Sequence, residues 1–153
     1  MSNRQVAAYL PAQVLGGVLG AVLANLMFDL PAVTLSTKDR SGGGLWLSEA
    51  LATFGLVVLI FALVRAGRAG LAPFAVGAYI TAAYFWSSST SFANPMIDLA
   101  RTLSDTFAGI APSSVPMFLL MQLIGGAAGV AAVAVLYPSV AAVADDVVVP
   151  KES

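Results

Sequence analysis

Apolar residues in this chain come in long runs rather than in strict alternation. Residues 5–28, 45–64, 71–88 and 116–137 are nearly continuous in Ala, Val, Leu, Ile, Gly, Phe and Met. Each run has roughly the ~20 residues that an α-helix needs to cross a bilayer. A signal peptide competes for the first run, with Arg4, an apolar core and small residues near Ala24. Its length and the interruptions at Pro11 and Gln13 favour a span. Residues 29–44, with Pro31, a Ser/Thr/Asp cluster and Gly42-Gly43-Gly44, read as the longest polar connection. Arg65–Gly70 is a tight basic loop. Trp46 and the group Tyr84, Phe85 and Trp86 are placed as interface anchors.

The stretch Ser91–Ala108 breaks this pattern. Asn94 is a favoured helix N-cap, and Pro95 suits the first helical position. About ten helical residues follow, too short and too polar to cross alone, with Asp98, Arg101 and Asp105. Entered from a loop between two spans, this segment reads as a re-entrant half-helix lining a cavity. The fold class is therefore an all-α membrane protein, with four transmembrane helices plus one re-entrant half-helix. Residues 1–138 form the membrane domain, and 139–153 a flexible tail that the orientation below makes cytoplasmic.

Composition supports this class and removes others. Of 153 residues, 59% are apolar or aromatic and only 10% are charged, against about a quarter in soluble domains. A net charge of −1 supplies no basic face for nucleic acid. There is no cysteine and no histidine. Disulfide chemistry is excluded, and so are the commonest general base and the commonest metal ligand. No cofactor or metal is expected, nor an enzyme. Orientation follows the short loops: Arg4, Arg65 and Arg68 inside, Lys38 and Arg40 outside. Both termini are then cytoplasmic in the cell membrane, and the half-helix enters from the external face.

Two spans share a motif. Gln13, Gly16, Gly17 and Gly20 match Gln122, Gly125, Gly126 and Gly129 in spacing. Two independent GxxxG packing faces would explain it, through Gly16 with Gly20 and Gly125 with Gly129. An inverted internal repeat explains it as well, as transport proteins often have. On that reading the second repeat is complete (span, span, half-helix, span), and the first is represented by its last span alone.

These residues resemble the aquaporin, or major intrinsic protein, family. YLPAQVLGGVLGAVLA is similar to its third span, LWLSEALATFGLVVLIFALV to its fourth and LAPFAVGAYITAAYF to its fifth. SFANPMIDLAR resembles its second half-helix, and QLIGGAAGVAAVAVLYP its sixth span. The resemblance covers residues 5–138, the family's C-terminal two-thirds, and so implies an incomplete aquaporin-like fold. SFANP followed by DTFAGIAPSSVP is most similar to bacterial arsenic-operon-associated members. The implied activity is a passive channel for small uncharged solutes: water, glycerol-like polyols, or metalloid hydroxides such as arsenite. The alternative is a non-conducting truncated or split half, acting as a membrane partner subunit or a remnant. Expected partners are the lipid bilayer, small neutral solutes, and either further copies (tetramers in the family) or a missing N-terminal half. Leu30–Thr34 imitates the family's first Asn-Pro-Ala motif, but its place in the chain reads as external loop.

The resemblance puts Asn94, Pro95, Met96 and Ile97 along a pore. Met96 stands where the family has Ala, and Ile97 where it has an Arg that narrows the pore, which implies a wider and less polar filter. Counting back from Asn94 adds Thr81 or Ala82 to the same constriction. Arg101, one turn further on, reads as an interfacial anchor near Asp98 and Asp105. Glu49 is an ionisable group inside a span and needs a partner. The family's Glu in that helix braces the half-helix loop, which implies a structural brace rather than a proton relay. Gln13 and Gln122 read as interhelical hydrogen-bonding residues.

Overall fold

The computed structural model describes residues 3–137. The tail expected at 139–153 lies outside the described residues. Five α-helices follow in order: α1 Asn3–Met27, α2 Gly43–Arg65, α3 Ala72–Trp86, α4 Pro95–Arg101 and α5 Val115–Leu136. Short 3-10 turns, Ala69–Leu71 and Pro112–Ser114, lead into α3 and α5. The described residues contain no strand. Among the described residues, four helical segments are long and apolar enough to cross a membrane: Gln5–Met27, Gly43–Arg65, Ala69–Trp86 and Pro112–Leu136. α4 is the short helix between the last two.

α2 and α5 form the closest pair, and glycine makes it possible. A Cβ on Gly125 would run into the Ala50 carbonyl, and one on Gly129 would come within 2.9 Å of Val57 Cβ. In a bilayer, where apolar burial does not favour helix over lipid, such close approach supplies the packing energy. α3 joins α2 through the Tyr79 hydroxyl, which donates to the Ala52 carbonyl at 2.9 Å. That hydroxyl occupies the place where a side chain on Gly55 would stand.

α1 packs on α4, with Gly17 facing Ala100. The expected packing roles of Gly16 and Gly20 are not seen here. Nothing lies within 4 Å of a Cβ at either position. Gln13 is half-buried and makes no hydrogen bond among the described residues, so its expected interhelical bond is absent as well. Both differences have one physical reason: α1 meets α4 and its loops, and no long helix lies along its glycine face.

A small apolar core of Phe92, Ile110, Val115 and Phe118 sits beneath the half-helix, with Leu45, Trp46 and Ile97 against it. The loop between α1 and α2 is not a free polar connection. Leu30–Thr34 forms no helix. Beyond it the chain runs beside the segment that follows α4. The Thr34 amide donates to Leu103 O at 3.1 Å, the Ser36 amide to Thr102 O at 2.8 Å, and the Ala111 amide to Lys38 O at 2.7 Å.

Candidate functional site

The half-helix begins as its sequence dictates. Asn94 has extended backbone, and its Oδ1 accepts from the Met96 amide at 2.9 Å. Reaching that start is expensive. Thr90, Ser91 and Ala93 have φ of 62°, 49° and 47°. Left-handed backbone costs such residues about 1–2 kcal/mol each. Local strain of this kind persists where surrounding contacts over-determine it.

Glu49 supplies those contacts from α2. It is fully buried. Its Oε2 accepts from the Phe92 amide at 3.2 Å and its Oε1 from the Ala93 amide at 2.5 Å. Gln122 Nε2, from α5, donates to Glu49 Oε1 at 2.8 Å and to Asp98 Oδ1 at 3.2 Å. One carboxylate and one amide thus tie α2, α4, α5 and the strained loop together. Bonds to an ionised acceptor are roughly twice as strong as neutral ones, which suits a brace that must hold left-handed backbone.

A cavity of about 870 Å³ lies between α1 and α4. Ile97, Ala100, Arg101 and Ser104 line one side, at the i, i+3, i+4, i+7 spacing of one helical face. Gly16, Gly17 and Gly20 line the other side. Gly16 and Gly20, which hold no helix among the described residues, make room instead. Tyr84 and Phe107 also line it, with rings 6.1 Å apart in an edge contact.

Of the residues expected along a pore, Ile97 lines this cavity, and Asn94, Pro95 and Met96 do not. Asn94 is turned to its own cap, and the Met96 carbonyl is directed at Gly17. Thr81 and Ala82 are exposed, and Thr81 Oγ1 bonds back to Gly77 O at 2.7 Å. Counting back from Asn94 failed because the left-handed loop folds the chain between α3 and α4. The last turn of α3, at Tyr84, reaches the cavity instead. Arg101, read from the sequence as an interfacial anchor, is half-buried. It lines the cavity, its Cζ lies 4.4 Å from the Phe92 ring centroid and 5.6 Å from that of Tyr84, and both are within cation–π range. Asp98 is engaged by Gln122, and Asp105 by the amide and hydroxyl of Thr37.

Two polar residues that sequence reasoning passed over fix the cavity's rim. Asn25 is 3% exposed, and its Nδ2 donates to Ala32 O at 3.2 Å and to Leu103 O at 3.0 Å. A lone amide near the end of an apolar run is itself a signal of such a bond. Arg40, also 3% exposed, donates from Nε to Gly109 O at 2.7 Å, from Nη1 to Ser89 O at 3.0 Å and from Nη2 to Phe107 O at 3.0 Å. Burial pushes its guanidinium below the ordinary range, and the Arg101 charge adds to this. Beside it, hydrogen bonds from Ser41 and Ser114 hold the Asp39 carboxyl below the usual carboxylate range. No group of three or more metal-ligating side chains occurs among the described residues.

The family model described as "Major intrinsic protein" matches residues 1–108. The chain is 48% identical over 131 residues to a protein named Aquaglyceroporin AqpS from Rhizobium meliloti (strain 1021). That match covers 86% of this chain and 56% of the relative, so the chain spans little more than half of the relative's length. No solved structure matches it significantly.

Proposed function

The chain belongs to the major intrinsic protein family, and on that premise we propose that it forms the wall of a passive membrane channel for small uncharged solutes. It is a multi-pass membrane protein with an all-helical, partial aquaporin-like fold. The observation that carries the proposal is the cavity of about 870 Å³, with the half-helix face on one side and the α1 glycine face on the other. Most of its lining is apolar, with Asn25, Tyr84, Arg101, Ser104 and Thr106 as its polar lining residues. Such a surface suits water, glycerol-like polyols and metalloid hydroxides such as arsenite. The relative's name, an aquaglyceroporin, supports the polyol class.

Within this reading Ile97 and Arg101 face the solute, Asn94 caps and orients the half-helix, and Glu49 with Gln122 braces it. The channel sits in the cell membrane with both termini cytoplasmic, and homotetramers are its natural assembly. Stopped-flow light scattering of vesicles carrying the full chain tests it. A glycerol-driven volume change clearly faster than that of empty vesicles is expected. A rate equal to theirs would refute it.

The open glycine face favours a second reading. Gly16 and Gly20 meet no side chain, and Leu15, Leu19 and Leu23 of α1 are exposed. In that case the chain is one wall, and conduction requires further helices alongside α1.

A further inference from the structure

Arg40 lies outside the cavity lining, yet each of its three guanidinium nitrogens donates to a carbonyl of the loops around the half-helix. Nε and Nη2 hold the carbonyls of Gly109 and Phe107, in the segment that leaves α4. Nη1 holds Ser89 O, in the segment that enters it. Its own amide donates to Ser114 Oγ at 3.0 Å, which fixes the residue to the start of α5. One planar fork thus sets the spacing of the two loops on which the half-helix hangs. Lysine could not do this, because an ammonium is a point donor without a fixed fork.

Two of the groups tied to Arg40 do line the cavity. Phe107 is held through its carbonyl, and its ring faces Tyr84. Arg101 is held through a shared ring: the Arg40 Cζ is 4.8 Å from the Phe92 centroid, and the Arg101 Cζ is 4.4 Å from it. No carboxylate bonds either guanidinium among the described residues, and both guanidinium groups lie against the Phe92 ring. We propose that Arg40 is a positioning residue for solute discrimination: it fixes the Phe107 ring and the Arg101 guanidinium against the cavity and so sets the size of polyol that fits. This rests on the channel reading for its biological meaning.

The test is saturation-transfer difference NMR on the detergent-solubilised full chain, with glycerol and the longer polyol ribitol as probes. The wild-type chain is expected to favour glycerol. In R40Q the glycerol-to-ribitol signal ratio should fall roughly tenfold, the scale on which a pocket separates small differences in solute size. R40K keeps the charge, loses the fork, and should fall between the two. A merely structural role would lower both signals together and leave the ratio unchanged, and that result overturns the proposal. So does a wild-type chain that gives no glycerol signal. If circular dichroism shows R40Q to be unfolded, the R40K ratio decides. Vesicle flux is read separately. A chain that shows the ratio change but no flux would refute the channel reading and leave the role of Arg40 standing.

Discussion

The Glu49 carboxylate accepts from the Ala93 amide at 2.5 Å, across 44 positions of chain. It thereby holds one of the left-handed residues that launch the half-helix. Replacing Glu49 by Gln keeps the shape and removes the charge from an acceptor that serves Phe92, Ala93 and Gln122. We expect E49Q to lose about 2 kcal/mol of stability, the scale of hydrogen bonds to a charged group. Thermal unfolding in detergent reads it, and a melting temperature equal to wild type would contradict the brace.

Ala93 itself offers the opposite sign. Its φ of 47° costs an L-residue about 1–2 kcal/mol. Glycine removes that cost and adds about 0.5–1 kcal/mol of backbone entropy to be lost on folding. A93G should therefore melt slightly higher than wild type. A clear drop would show that the Cβ makes a contact worth more than the strain.

The two glycine motifs should separate on substitution. At Gly125 a methyl group would meet the Ala50 backbone. G125A should cost ~1–3 kcal/mol, as overpacking does. At Gly20 it meets nothing within 4 Å among the described residues. G20A should stay within about 0.5 kcal/mol. Parallel melts of the two variants check this, and equal losses would mean that another helix covers the α1 face.

Asn94→Asp keeps the capping oxygen for the Met96 amide. It also places an anion at a helix N-terminus, which is favourable by ~0.5 kcal/mol. Stability should hold or rise slightly. Because Asn94 lies outside the cavity lining, potassium leak from vesicles carrying the variant should stay at the wild-type level; a rise would place Asn94 at a constriction, where an acidic group admits cations. An unchanged leak would confine Asn94 to capping.

The membrane-crossing helices were legible because hydrophobic length is a local property. The expected runs 45–64 and 116–137 correspond to α2, 43–65, and α5, 115–136. Asn94-Pro95 was legible for the same reason, since a cap and a helix start lie side by side in the chain. Glu49 announced itself as a charge in an apolar run, although nothing local named its partners. Arg40 did not. Between Lys38, Asp39 and Ser41 it looks like any solvated loop residue, and its burial depends on carbonyls 49 to 69 positions away. Tyr84 carried a misleading signal: an aromatic at the end of a span suits the interface, and the same residue lines the cavity. Gly16 and Gly20 misled in the other direction. A small-residue stripe permits close packing but does not supply the helix to pack against.

The three carbonyls held by Arg40 also constrain biogenesis. Arg40 leaves the ribosome 49 residues ahead of Ser89 and 69 ahead of Gly109. During that interval a guanidinium destined for a nearly dry site has none of its final acceptors, and it must stay hydrated. The first loop therefore cannot close when it is made. Its Arg40 contacts can form only after Ser89, Phe107 and Gly109 have been made. The contacts around Arg40 thus join an early-made loop to carbonyls and a hydroxyl made much later in the chain.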